Sequence, residues 1–315
     1  PRPRIDYDYD LDHEVQALRD YPKRPDRSDR AIPPKRAGRL LLATWNIANL
    51  GLQKRRDKDY RLIAEILSWF DLVAIQEVTG RLAGLRGVLA SLPDRYSVLF
   101  SDPGGNDERF TFLYDSEKVH PLEEVGEVTV PPSDLGAVKL PGIRKRFAGF
   151  DRNPYLATFQ AGRLKLVLAN VHLYFGKEEG RGPMDRRCLE AYAVARWADL
   201  RHRSRHAYTP NILALGDFNL PKREEGDRVY EGLTPAGPRP PAPLDQGWRL
   251  EPERRRALRP GRGVSRTPSE GHQEARHLRL RRRGVRRPLG SLEEGAVAVS
   301  VLRQVLPLRS PPAVG

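Results

Sequence analysis

The chain has 315 residues, 39% of them hydrophobic and 30% charged, with a net charge of +14. That is enough apolar material for one large domain or two small ones, and a basic balance suited to a polyanionic partner. The single cysteine, Cys188, excludes an intrachain disulfide, and no apolar run reaches membrane-spanning length.

No signal peptide is visible, but the first residue is Pro1 rather than Met, so localisation stays open. The charge is uneven. From Ala236 onward there are 17 Arg, no Lys and 7 acidic residues, a net of +10, which leaves +4 for the preceding 235 residues. Residues 1–38 are rich in Pro, Arg and Asp and lack a sustained apolar period. They read as a mostly flexible arm, with at most a short helical turn at Val15 to Leu18.

Leu40 to Thr44 is an apolar run that reads as a buried strand, with Asn46 at its end. A polar residue there suits either a structural role holding a loop or contact with a metal's water or a phosphate oxygen. Leu62, Ile63, Ile66, Leu67 and Phe70 are spaced as on a helix. Asp71 to Val78 is then a second buried strand carrying Glu77, a carboxylate that is costly there unless paired or metal-bound. Strand, helix, strand implies an α/β layer structure.

Leu82 to Leu92 reads as a helix, Tyr96 to Phe100 as a strand, and Glu108 to Tyr114 as an alternating strand that begins on Glu108. Pro121 to Gly149 gives no clear pattern. Arg152 leads into a hairpin turning at Ala161 and Gly162, whose second strand runs straight into His172. Arg186 to Arg203 is an amphipathic helix.

Ile212 to Leu215 is the last apolar strand; Gly216 permits a sharp exit, and Asp217 and Asn219 follow. Two apart on extended backbone, they point to one side. The plain alternative is an Asx turn that ends the strand.

Asn46, Glu77, His172, Asp217 and Asn219 thus recur at strand ends, with Glu108 and Arg152 at strand starts. Strand ends are where layered α/β folds build sites. A carboxylate binds a hard divalent cation and a second orients water, while amides, Arg and His stabilise a phosphorane or protonate a leaving oxygen. This is the inventory of a metal-assisted phosphodiester hydrolase.

TWNIANLG, IQEV, the LANVHL strand and LALGDFN, in that order, resemble the endonuclease/exonuclease/phosphatase superfamily over residues 39 to 235. NDERFTFLYDSEKV and FDRNPYLATF resemble its DNase I-like branch. His172 points the same way, although sphingomyelinases also use a His there.

The resemblance implies a sandwich of two mixed β-sheets flanked by helices. It implies Mg²⁺ or Mn²⁺ as cofactor and nucleic acid, DNA first, as the substrate of a monomer. Glu77 is similar to the metal ligand, and Asn46 to a residue of the metal site that also positions phosphate. Glu108 is similar to the carboxylate that orients the catalytic His, and His172 to that His, a general acid. Arg152 resembles a phosphate-backbone contact, Asp217 the residue that orients the attacking water, and Asn219 an oxyanion donor. A phospholipid phosphodiesterase and an inactive nucleic-acid-binding relic are the alternatives.

The superfamily pattern also expects an Asp-His pair near the C-terminus and two last strands. No Asp-His follows Asn219; His272 and His277 have other neighbours, and the final strands are not readable. Residues 236–315 contain no Phe, Tyr, Met, Ile, Asn or Lys. They read either as a disordered Arg/Pro-rich tail or, preferably, as the product of a frameshift in GC-rich DNA between Thr234 and Pro241. Val305 to Pro311 can be encoded GTA CTA CCT CTC CGA TCA CCG, which one base on reads Tyr-Tyr-Leu-Ser-Asp-His. On this reading the 39–235 domain is incomplete and its activity impaired.

Overall fold

The computed structural model describes residues 8–21, 32–176, 181–220 and 227–233, and the backbone of 304–307. The elements in order are α1 (Leu11–Asp20), β1 (Arg39–Leu50), α2 (Asp57–Ser68), β2 (Leu72–Thr79), α3 (Ala83–Leu89), β3 (Tyr96–Phe100), β4 (Glu108–Asp115) and β5 (His120–Glu127). There follow a 3-10 turn (Pro132–Ala137), β6 (Tyr155–Ala161), β7 (Leu164–His172), α4 (Arg181–Arg203), β8 (Ile212–Asp217), α5 (Arg228–Gly232) and β9 (Gln304–Pro307).

Two mixed sheets form a sandwich, as expected. One has the order β3-β4-β2-β1-β9, with β1 and β2 parallel; the other has the order β5-β6-β7-β8, with β7 and β8 parallel. Successive side chains on a strand point to opposite faces, so each buried strand supplies two rows. Leu40 and Leu42, Leu72 and Ala74, Phe110, Phe112 and Tyr114 face Tyr155, Ala157, Phe159, Leu166, Leu168 and Leu215 between the sheets. The alternate row, Leu41, Ala43, Trp45, Val73 and Ile75, packs with α2 and α3 residues such as Ala64, Leu67, Leu85 and Val88. On the far side of the second sheet, α4 and α5 pack through Cys188, Ala191, Val194 and Val229. Burial of Cys188 pushes its thiol up to about 11.

The two ends of the first sheet handle charge differently. At the end where β1 and β2 begin, Asp71 and Asp115 each meet cations. Asp71 accepts from Lys118 at 2.7 Å and from the Leu41 amide at 2.7 Å, and Asp115 meets Arg95 at 2.9 Å and Lys35 at 3.3 Å. At the other end, Glu77 and Asp217 meet amide donors, and Glu108 meets a histidine and an arginine.

Two sequence expectations change, and one unplaced segment is now placed. The N-terminal arm is not flexible throughout. Leu11–Asp20 is a helix capped by Asp10 and held on α2 by Tyr9 donating to Asp59 and by the Arg19–Glu65 pair at 2.9 Å. Polar contacts dock it, which an apolar-period search does not register. Pro121–Gly149 contains β5 and the 3-10 turn. One strand does follow β8: Gln304–Pro307 pairs antiparallel with Arg39–Leu42, using the otherwise open edge of β1. Backbone pairing needs no side-chain pattern to announce it. The remainder of the expected tail, and the proposed junction between Thr234 and Pro241, lie outside the described residues. No helix among the described residues is long and apolar enough to cross a membrane.

Between the sheets, beneath that second end, lies a buried polar strut. Gln76 donates to Thr44 Oγ1 at 3.0 Å and to Asn170 Oδ1 at 2.6 Å, and Asn170 donates to the carbonyls of Ile75 at 3.0 Å and Thr111 at 3.2 Å. Asn170 has no solvent exposure. Replacing it with Ala strands those buried partners, at a cost of about 2–4 kcal/mol. Urea melts of Asn170→Ala should show the midpoint falling accordingly with an unchanged slope; a midpoint equal to wild type would show that the strut adds no stability.

Candidate active site

Each inner row ends in a polar residue at the same end of the sandwich. Leu40, Leu42 and Thr44 lead to Asn46; Leu166, Leu168 and Asn170 lead to His172; Leu213 and Leu215 lead to Asp217. On β4, which runs the other way, Glu108 precedes Phe110, Phe112 and Tyr114 in the same row. The pairing of β7 with β8 puts His172 opposite Asp217.

Glu77 breaks this pattern. Gln76 already occupies the inner row of β2, so regular alternation would turn Glu77 toward α2 and α3. Instead β2 bulges. Ile75 pairs with Thr111 and Val78 with Arg109, so two residues face one on β4. Glu77 itself has φ of 60°. Left-handed backbone on a non-glycine residue costs of order 1–3 kcal/mol and is a mark of functional sites. The result is a carboxylate turned into the site, with Oε2 accepting from the Asn49 amide at 2.8 Å and Oε1 from Asn46 Nδ2 at 2.7 Å.

Asn46 joins the two sheets, because Nδ2 also donates to Asp217 Oδ2 at 3.0 Å. Asp217 Oδ1 accepts from the Asn219 amide at 2.9 Å, so the Asx turn is present and the other carboxylate oxygen still belongs to the site. Asn219, at φ of 47°, spends one side-chain N–H on the Leu173 carbonyl at 2.7 Å. Gly216 passes so close to β7 that an added Cβ would lie 2.0 Å from the Val171 carbonyl oxygen, and its φ is 141°. It brings the two strand ends together as well as permitting the exit.

On the other side, His172 Nδ1 lies 3.4 Å from Glu108 Oε2, and its Nε2 faces Glu77 Oε1 at 3.9 Å. Arg152 Nε approaches the same Glu108 oxygen at 2.8 Å, and Nη1 meets Asp151 at 3.3 Å. Arg152 is buried, with 7% of its surface exposed, so its guanidinium here fixes Glu108 and Asp151. Burial pushes the Glu108 carboxyl up, but His172 and Arg152 outweigh it and hold the group below its ordinary range.

All seven residues singled out in the sequence therefore lie in one linked group. Sequence reasoning missed the supports: Asn49, Gln76 and Asn170. The last two stand inside the IQEV and LANVHL segments, where a polar residue in an apolar strand was the available signal.

Four buried polar atoms in this group lack a hydrogen-bond partner: Asn46 Oδ1, Glu108 Oε2, Arg152 Nε and His172 Nδ1. The last three are ion contacts without hydrogen-bond angles. Asn46 Oδ1, on the amide whose Nδ2 donates to Glu77, is an acceptor in need of a cation or donor. No three His, Cys, Asp or Glu side chains converge as a metal cage among the described residues. One carboxylate and one amide oxygen fit a Mg²⁺-like ion, which keeps several of its own waters.

A deoxyribonuclease from Thioalkalivibrio sp. (strain K90mix) is 31% identical over 204 residues, 62% of this chain and 50% of that protein. The chain spans about half the length of this curated relative. No family model matches it. Among solved structures, a humanized D. rerio TDP2 is 18% identical with a TM-score of 0.41, covering 64% of this chain and 68% of that one. An endonuclease/exonuclease/phosphatase family protein from Bacteroides thetaiotaomicron is 18% identical with a TM-score of 0.42, covering 62% and 66%.

The Glu108 cluster sets a pH dependence. A carboxyl whose folded pKa is depressed stabilises the fold above its unfolded pKa, about 4.3, and loses that contribution as pH falls through the lower folded value. The stability difference between wild type and Glu108→Gln, followed by chemical denaturation in EDTA, should be constant near neutrality and shrink under acid. A difference that does not vary with pH would mean that the pairing with His172 and Arg152 is absent in solution.

Proposed function

We propose that the chain is a divalent-metal-dependent phosphodiesterase, most specifically a DNase I-like nuclease acting on DNA. The observation that carries this reading is Asn46, whose Nδ2 joins Glu77 to Asp217 while its buried Oδ1 has no hydrogen-bond partner. Glu77 and Asn46 Oδ1 would hold Mg²⁺ or Mn²⁺. When bound, the ion supplies Lewis-acid polarisation of a phosphoryl oxygen.

The remaining work falls to the chain's own groups. Asp217 Oδ2, kept in place by Asn46 and by the Asx turn, orients and deprotonates the attacking water. Glu108 faces His172 Nδ1 and fixes the ring, so Nε2 is the atom that protonates the leaving oxygen. The second N–H of Asn219 stabilises negative charge building on the phosphoryl oxygens, and the Arg152 guanidinium holds Glu108 in place behind His172. The deoxyribonuclease relative favours nucleic acid over a phospholipid head group.

The Asp-His pair that the superfamily resemblance calls for is absent from the sequence after Asn219. Catalytic groups act as a unit, so this chain should be weakly active and a frame-restored version should be faster by at least 10-fold, as an order of magnitude. Sequencing the gene decides whether the codons at Val305 to Pro311 allow that restoration.

The test is nicking of supercoiled plasmid with Mg²⁺, Mn²⁺ or EDTA. Nicking should need the metal, and Glu77→Ala should reduce it on the order of 10³-fold. Nicking that survives EDTA or Glu77→Ala would overturn the proposal. Hydrolysis of sphingomyelin by a preparation inert on DNA would move the activity to phospholipid.

A further inference from the structure

Two buried charged residues of α4 take no part in the mechanism above. Arg187 is 6% exposed and Glu190 has no exposure. Three residues apart, they share one face of the helix. Each spends its side chain on the backbone of loops that carry the site.

Glu190 Oε1 accepts from the Asp151 amide at 3.1 Å, next to Arg152 in the chain, and from Arg186 Nε at 3.1 Å. Its Oε2 accepts from the Tyr174 amide at 2.9 Å, two residues past His172. Arg187 Nε donates to the Tyr174 carbonyl at 2.8 Å, Nη2 to the Phe175 carbonyl, and Nη1 to the Asn219 carbonyl at 3.1 Å. Tyr174 is thus held by both its N–H and its C=O, and the two aromatic rings lie against the same arginines. Arg186 sits 4.2 Å from the Tyr174 ring and Arg187 5.1 Å from the Phe175 ring.

Stability alone explains this poorly. All three of these Arg187 donors go to carbonyl oxygens, and burial pushes its pKa down, so the guanidinium is held there against its solvation. Burial likewise pushes the Glu190 carboxyl up. A buried charge is costly and is retained where its geometry is needed. What these two fix is the relative placement of three loops from separate strands: the one leading to Arg152, the one leaving His172 and the one at Asn219.

We propose that Arg187 and Glu190 are positioning residues, a clamp on α4 that sets Arg152, His172 and Asn219 against one another for the phosphodiester reaction. The assignment rests on the function proposed above. Misplacement by about 1 Å can cost on the order of 10²-fold in rate, so the clamp should show in turnover rather than in binding.

The test uses the full chain with Arg187→Lys and Glu190→Gln. Lysine keeps the charge but cannot span three carbonyls, and glutamine puts an NH₂ group against a backbone N–H. With Mg²⁺ and an oligonucleotide duplex, kcat should fall about 10- to 100-fold in each variant while KM moves less than about 3-fold. In parallel, amide hydrogen exchange in Glu190→Gln should speed up at Asp151 and Tyr174, with Leu168 and Ala157 in the core as unchanged controls for folding.

Folded variants with wild-type kcat would overturn the clamp, as would a rate loss that follows general unfolding at Leu168 and Ala157. If wild type hydrolyses no DNA, the functional reading fails separately. The exchange data then decide: faster exchange confined to Asp151 and Tyr174 supports the clamp, and unchanged exchange overturns it.

Discussion

The two sheets must keep their register to one another, because the charged rim is assembled from both. Asn46 and Glu77 come from one sheet, His172 and Asp217 from the other. A purely apolar interface would allow small slides between the layers at little cost. The Gln76–Asn170 bond at 2.6 Å and the two carbonyls that Asn170 satisfies make such a slide leave buried polar groups unpaired. Directional bonds placed just beneath the rim therefore set the geometry that the apolar rows only approximate.

Above that strut the electrostatics are unusual for a stable protein. Glu77, Glu108 and Asp217 lie in one group, yet Arg152 and His172 face only part of it. At the opposite end of the same strands, Asp71 and Asp115 are met by lysines and an arginine. Under the proposed function, the contrast separates a structural charge cluster from one suited to chemistry. In the first, even Asp71 Oδ1, which lacks a hydrogen bond, has Lys35 at 3.6 Å; in the second, amide donors, His172 and Arg152 share the carboxylates and the amide oxygen of Asn46 is left without a partner. The strained backbone of Glu77 belongs with this, since such strain persists where the surroundings over-determine it.

Much of this was legible because the rows are so regular. An apolar run that stops at a polar residue marks a strand end, and Asn46, His172 and Asp217 are each the next step of an inner row. Glu77 was legible as a residue but not as a geometry. Its direction depends on a bulge, and bulges arise from pairing between β2 and β4 rather than from the local pattern. Arg152 was read as a phosphate contact; its engagement by Glu108 and Asp151 was not legible, because that relation is set by tertiary packing. The helix at Leu11–Asp20 was read only as a short turn at Val15 to Leu18 because its docking is polar. Arg187 and Glu190 were hidden inside an amphipathic pattern that identifies a helix by its apolar members and passes over buried charge.

Cys188 is buried on α4 and its thiol is held nearly fully protonated at neutral pH, so it is a poor nucleophile. It is also the only cysteine in the sequence. A cysteine introduced on the exposed surface would then be the one thiol open to maleimide or spin-label chemistry, with no native residue to remove first. Spectroscopic rulers could be attached to either sheet while the α4 packing is left untouched.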